Sequence, residues 1–294
     1  MKFSVITPSY NQGRFIARTL ASVALQAAPG LEIEHLVMDG GSSDETLAVL
    51  ARHPVRWVSG PDDGQADAVN KGICASDGEV IAWLNSDDIY RPGAFARVAA
   101  FLEAHPEVDV VYGMADHIDV DDRLLSAYPT EDWDFERLQQ TCFICQPALF
   151  FRRRVVEAQG LLDPALHYCM DYEYWLRLGR AGLRFAYLRH KLAGSRMYAE
   201  NKTLGARIAV HAEINDMFSQ RFGRVPERWL SNYAHAVVER DIDRQARPRW
   251  FRLKLAITIL RASMRWNGRL PAALCVGLLQ TAGLPLVRRS RHGG

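Results

Sequence analysis

The chain is short of cysteine, of acid at one end and of long uninterrupted apolar runs, and each shortage closes off a class of protein. Five cysteines (Cys74, Cys142, Cys145, Cys169 and Cys275) in 294 residues are odd in number and irregular in spacing, which excludes a disulfide framework. Cys142 and Cys145 form a C-x-x-C, but no second pair and no nearby histidine cluster completes a zinc site. Buried thiols in a reducing compartment fit that pattern better. The first apolar run stops at Pro8, too short for a secretory signal, so the body is expected in the cytoplasm. No G-x-G-x-x-G follows it, which disfavours the dinucleotide-binding kind of α/β fold. From Arg244 to Gly294 there are eleven Lys and Arg and no Asp or Glu, whereas the preceding residues hold 25 basic and 34 acidic side chains. The net charge of +2 therefore hides an acidic body and a basic tail, and such a tail suits an anionic partner surface.

What is present is an alternation. Phe3–Thr7, Ile33–Met38, Val55–Ser59, Val80–Leu84 and Val108–Tyr112 are short runs of Val, Ile and aromatics, as buried strands are. Between them Phe15–Gln26, Glu45–Arg52, Ala66–Cys74 and Ala94–Glu103 carry apolar residues at helical spacing. This order predicts an α/β protein with a mostly parallel sheet flanked by helices. Further on, Gln146–Arg152 reads as a strand and Tyr168–Ala181 as a helix, and residues 201–240 as two helices joined near Gly223–Pro226. Trp250–Trp266 is basic and amphipathic, and Leu270–Val287 is uncharged but interrupted by Pro271, Gly277, Gly283 and Pro285. Two domains are expected, residues 1–205 and a helical, basic region 206–294.

Ligands in open α/β sheets bind beyond the carboxyl ends of the strands, and the polar clusters fall there. Thr7–Asn11 follows the first strand, Asp39–Asp44 the second, Gly60–Gly64 the third and Asn85–Asp88 the fourth. Two adjacent carboxylates at a buried strand end repel each other and lose hydration, and a divalent cation relieves both costs. Oxygen-only ligands point to Mg²⁺ or Mn²⁺; the plainer alternative is a turn with helix capping. Asp39 can accept a hydrogen bond from a base or ribose, or serve only its own turn. Asp63 opens the third helix, with Asn70 and Lys71 one to two turns in. Lys71 is a candidate for a diphosphate, against its reading as a solvated lysine.

Thr7-Pro-Ser-Tyr-Asn11, Asp39-Gly-Gly-Ser-Ser-Asp-Glu-Thr46, Asp63-Gly-Gln-Ala-Asp-Ala-Val-Asn-Lys-Gly72 and Asn85-Ser-Asp-Asp88, in that order, resemble family 2 glycosyltransferases of the GT-A fold over residues 1–200. The resemblance implies that Pro8, Tyr10, Asn11 and Asp39 hold the nucleoside of a sugar donor, a UDP-sugar before others. It sets Asn85, Asp87 and Asp88 at the family's D-x-D element, with the metal, Mn²⁺ or Mg²⁺, on Asp88 or Asp87, Asp88 being preferred. Cys145–Arg152, Gly160–Asp163 and Met170–Arg177 resemble the acceptor half, whose acidic pair becomes Met170–Asp171 here. Asp171 then stands at the position of the catalytic base, with Glu173 as its rival. Arg196 keeps a cation near the diphosphate, and Tyr198 stands where relatives often carry histidine. The function implied is an inverting, metal-dependent transfer to a glycan or lipid-linked acceptor in cell-surface polysaccharide synthesis. A sugar nucleotidyltransferase and a non-catalytic nucleotide-sugar-binding protein are the alternatives. The tail points to an anionic membrane surface at the inner face of the cell membrane, and no nucleic-acid module is recognisable.

Overall fold

A computed structural model describes residues 1–198 and 205–269, so the apolar stretch Leu270–Val287 lies outside the described residues. The chain divides into two compact units, Met1–Gly205 and Ala206–Gly294.

The first unit opens with β1 (Lys2–Ser9), α1 (Gly13–Ala24), β2 (Glu32–Asp39), α2 (Thr46–Leu50), β3 (Arg56–Ser59), α3 (Gln65–Cys74) and β4 (Val80–Trp83). Strands β3, β2, β1 and β4 lie side by side in that order, all parallel. Covered on both faces, β1 is buried from Phe3 to Ser9, which is why its sequence is a run and not an alternation. Ser9, Asp39 and Ser59 are register partners, so β1, β2 and β3 end level and their loops leave from one edge. Helix α3 lies close against the sheet through Gly72, where any Cβ would collide with Ile6 Cγ2.

Beyond β4 the sheet becomes mixed. After β5 (Ile89–Tyr90) and α4 (Ala94–Ala104) come β6 (Val110–Ile118), β7 (Leu124–Ala127), α5 (Phe135–Gln140), a 3₁₀ turn (Gln146–Ala148) and β8 (Leu149–Arg152). Strand β8 runs antiparallel between β4 and β6. Helices α6 (Arg153–Gln159) and α7 (Met170–Arg180) lead to β9 (Phe185–Arg196), which is parallel to β6 and antiparallel to β5. Parallel order thus holds through the first four strands and not through the rest. Phe3, Tyr90, Phe95 and Phe150 form the aromatic centre of the main core, with Phe3 and Phe95 stacked at 4.8 Å and Phe95 edge-on to Phe150 at 5.5 Å.

Strand β9 escapes the sequence pattern because Arg189, His190 and Lys191 break its apolar alternation. Its pairing with β6 shifts register at Gly113–Ala115, where those residues pass. The second unit contains α8 (Arg207–Phe222), α9 (Glu227–Asp241) and α10 (Pro248–Asn267). Gly223, at φ 71°, ends α8, and Gly268, at φ 62°, ends α10, both in the left-handed region that favours glycine.

Candidate functional site

The strand ends are tied to one another by side chains. Asn11 adopts φ 52° and joins the first two loops: its N–H donates to Ser42 Oγ (2.8 Å), and its Oδ1 accepts from the Ser43 N–H (2.9 Å). No side chain of its own caps α1. The Gln12 N–H donates instead to Thr46 Oγ1 (2.9 Å) and the Gly13 N–H to Asp44 Oδ2 (3.0 Å). Burial raises the Asp44 pKa, but the hydrogen bonds from Thr46 and Gly13 outweigh it and the net shift is downward.

Asp39 is 3% exposed and its carboxylate accepts from the Gly41 N–H, the Ser42 N–H, Ser42 Oγ and Ser59 Oγ, at 2.5–3.1 Å. In this structure it shapes the loop from within. Pro8 is buried in β1, whereas the Tyr10 ring is 63% exposed beside that loop. Asp62 accepts from the Gly64 N–H (2.9 Å), and a Cβ on Gly40 would lie 2.6 Å from its Oδ2. The second and third loops therefore touch through Asp62. Its neighbour Asp63, named from the sequence, is exposed.

Three expectations change. Asn70 is taken up by main chain: its amide nitrogen donates to Leu162 O (2.9 Å) and its Oδ1 accepts from the Leu162 N–H (3.0 Å), pinning the acceptor-side chain to α3. Lys71 is an exposed helix lysine paired with Asp67 at 2.7 Å, one turn earlier. Arg196 has no exposed surface. Its Nε donates to Asp87 O (2.6 Å), Nη1 to Asp119 O (2.6 Å) and Nη2 to Asp122, while its guanidinium lies 4.8 Å from the Phe15 ring centroid. It acts as a strut inside the fold, its guanidinium taken up by these internal partners.

The acidic turn after β4 is held from three sides. Thr19 Oγ1 lies 2.9 Å from Ser86 O and 2.8 Å from Asp88 O. Asn85 Oδ1 accepts from Gln65 (2.7 Å) and from Trp83 Nε1 (2.9 Å), and Asn85 also hydrogen-bonds the Asp88 carboxylate. The Arg196 N–H donates to Asp88 Oδ1 at 2.7 Å, and the Tyr198 hydroxyl to Asp87 Oδ2 at 2.8 Å. Burial pushes the Asp88 pKa well up and the Asp87 charge pushes it further; Asp87 is itself raised by burial. The Arg196 charge works against both shifts.

Asp88, preferred from the sequence as the metal ligand, is 3% exposed and engaged with main chain, whereas Asp87 is only half-buried. Asp87 is the acid better able to reach a ligand. Among the described residues no three or more His, Cys, Asp or Glu gather as a metal site. The hard oxygen pair still fits Mg²⁺ or Mn²⁺ if ligand phosphates complete the coordination.

Asp171 opens α7 and its Oδ1 accepts from the Tyr172 N–H (2.7 Å). The rival Glu173 is 2% exposed and held by Arg177 through two 3.1 Å bonds, a structural pair. The charges of both acidic elements, Asp88 and Asp171, reach one buried thiol. Burial raises the Cys145 pKa most, followed by the charges of Asp88, Cys142 and Asp171, against a hydrogen bond from Ser195. Both thiols of the C-x-x-C are free and Cys145 is buried. Gln12, Gln65 and Ser59 are framework residues that sequence reasoning passed over. Only Gln65 carried a signal, by lying within the third motif.

A sheet parallel through β3-β2-β1-β4, mixed beyond, with an acidic turn after β4, defines an α/β protein of the GT-A type. The chain belongs to glycosyl transferase family 2, whose profile matches residues 4–160. An uncharacterized glycosyltransferase of Nostoc sp. is 31% identical over 179 residues, 56% of this chain and 55% of that protein, so the chain spans about half its length. A PGL/p-HBAD biosynthesis glycosyltransferase of Mycobacterium bovis is 31% identical over 183 residues, 60% of this chain and 68% of that one. S. aureus TarS 1–349 in complex with UDP-GlcNAc matches with a TM-score of 0.62 at 18% identity, over 89% of this chain and 81% of that one. The mannosyltransferase PcManGT from Pyrobaculum calidifontis, in complex with GDP-Man and Mn²⁺, matches with a TM-score of 0.60 at 19% identity, over 96% and 80%. At these identities the structural likeness is one of fold.

Proposed function

We propose that the chain transfers a sugar, with inversion, from a nucleoside-diphosphate sugar to a hydroxyl of a glycan or lipid-linked acceptor, with a UDP-sugar as the first donor to try. The main support is the family membership together with the two acids at its motif positions, the buried Asp87–Asp88 turn after β4 and Asp171 in the first turn of α7. One centre suits a departing diphosphate and the other an attacking hydroxyl. TarS in complex with UDP-GlcNAc and PcManGT in complex with GDP-Man and Mn²⁺ support a nucleotide-sugar donor and a divalent metal.

Asp87, with Asp88 behind it, would hold the Mn²⁺ or Mg²⁺, whose charge when bound favours the departing diphosphate. The protein's own residues supply the rest. Asp39 exchanges a serine hydroxyl for a donor from the base, and the exposed Tyr10 ring offers a face to the nucleoside. Asp171 takes the proton of the acceptor hydroxyl as that oxygen bonds the anomeric carbon. The bond to the diphosphate breaks on the opposite face, so one displacement inverts the configuration. The basic tail supports a place at the inner face of the cell membrane, in the synthesis of surface polysaccharide.

Turnover of UDP- and GDP-sugars with Mn²⁺, followed as nucleotide release, finds the donor. Asp171→Asn is then expected to lower kcat by about a thousandfold while the donor Kd, by calorimetry, stays within twofold of wild type. Near-normal turnover in that variant would sink the assignment of Asp171 as base.

A further inference from the structure

The second unit exposes what a soluble fold usually buries. Helix α10 carries Trp250, Leu253, Ile257 and Met264 at 64%, 51%, 39% and 51% exposure. At about 100° per residue these four fall within an arc of roughly 60°. The inward face is the opposite one, where Phe251, Ala262, Ser263 and Trp266 are 1–6% exposed. The helix is therefore apolar on two opposite sides, and among the described residues only one is covered by its own unit.

Charge marks what the other side meets. Lys254, Arg261 and Arg265 are all exposed along one border of the stripe, and Arg249 along the other. No Asp or Glu occurs anywhere in α10. A protein partner would be expected to meet such a stripe with its own apolar side chains and a mixed polar rim. A band of Trp and aliphatic side chains between cations only, on a helix with no acid, matches the boundary of an anionic bilayer, where apolar groups enter the acyl region and cations remain among headgroups. Among the described residues no helix is long and apolar enough to cross a membrane, so the contact is one of lying on the surface.

We infer that the stripe Trp250–Leu253–Ile257–Met264, with its flanking cations, is the surface by which this chain lies on an anionic lipid membrane. This rests on the membrane-face reading above and narrows it from the basic tail to one face of helix α10. The stripe supplies the apolar contact and Lys254, Arg261 and Arg265 the preference for anionic lipid.

The test is flotation of the full chain with vesicles of phosphatidylcholine, alone or mixed with phosphatidylglycerol. Wild type is expected to float with the mixed vesicles. Leu253→Ser/Ile257→Ser should lower partitioning at least about tenfold. Lys254→Gln/Arg261→Gln/Arg265→Gln should lower it about a hundredfold on mixed vesicles, at roughly fivefold per cation, and hardly at all on phosphatidylcholine alone. Thermal stabilisation by UDP, unchanged in both variants, shows that the fold is intact. Variants that float as well as wild type overturn the assignment to α10 and leave the membrane reading standing. Wild type that floats with neither vesicle overturns both. A variant that floats normally but changes oligomeric state, by light scattering, assigns the stripe to a second copy of the chain and overturns the inference.

Discussion

The strand-end loops of the first unit and helix α10 of the second depart from ordinary burial in opposite directions. Charge is buried there: Asp39 and Asp88 are 3% exposed and accept hydrogen bonds from main chain or serine, and Arg196 of β9, with no exposure, donates to main-chain carbonyls. Helix α10 exposes apolar bulk, with Trp250 64% open to solvent. A buried charge is tolerated only where the surrounding fold is organised to hold it, so the loops form a rigid framework. An exposed apolar stripe is tolerated where its covering comes from outside the unit. Stability should therefore be sensitive in the first region and indifferent in the second, and that contrast can be measured.

The largest effect belongs to Arg196. Arg196→Leu removes the bonds to Asp87 O, Asp119 O and Asp122 and the cation that opposes the raised pKa values of Asp87 and Asp88. A loss of about 3–5 kcal/mol is expected in urea unfolding. A loss below about 1 kcal/mol would mean that the guanidinium is not a strut. Asn70→Ala should cost about 1–3 kcal/mol by leaving both main-chain groups of Leu162 without their partner. Because Asn70 is structural, its variant should keep the donor Kd of wild type, and a tenfold weaker donor would return it to the binding site.

A smaller effect appears in the pH dependence. His35, paired with Thr7 Oγ1 at 2.9 Å, has its pKa lowered by burial from 6.5 to about 3. The unfolded chain binds the proton first as pH falls. Stability from neutral His35 is thus complete above about 6.5 and is lost between there and about 3, with a slope of at most about 1.4 kcal/mol per pH unit. His35→Gln should flatten the urea-unfolding free energy over that window relative to wild type; an unchanged slope would place the charged imidazole in the fold. The smallest effect is on α10, where Leu253→Ser/Ile257→Ser should shift the unfolding free energy by no more than about 0.5 kcal/mol. A loss of several kcal/mol would show that the stripe is covered from within and would erase the comparison.

How far the sequence could be read depended on whether a residue acts through chain order or through a distant partner. The strands of the parallel half were legible because each is a short apolar run closed by a polar loop, and the loops identified the edge where a ligand binds. Strand β9 was not legible, because three consecutive basic residues hide its alternation and its register is set by β6. In the site, Asp171 and the Asn85–Asp88 turn could be singled out by motif. The protein partners of Asn70, Lys71 and Arg196 were hidden from the sequence for one shared reason. An amide or cation in a motif looks available until the chain 92 residues on, one helical turn back or 109 residues back is seen to hold it.

Sequence alone was enough for the α/β class, the four polar strand ends, the likeness to family 2 glycosyltransferases and the split between acidic body and basic tail. All of these are carried by local order and composition, which folding does not rearrange. Tertiary structure alone separated half-buried Asp87 from enclosed Asp88, tied Asn70 to Leu162, and turned Arg196 into a strut. It also showed that α10 has two apolar faces with one left open. Burial and pairing are properties of groups far apart in the chain, so no local pattern encodes which carboxylate faces a ligand or which face of a helix remains uncovered.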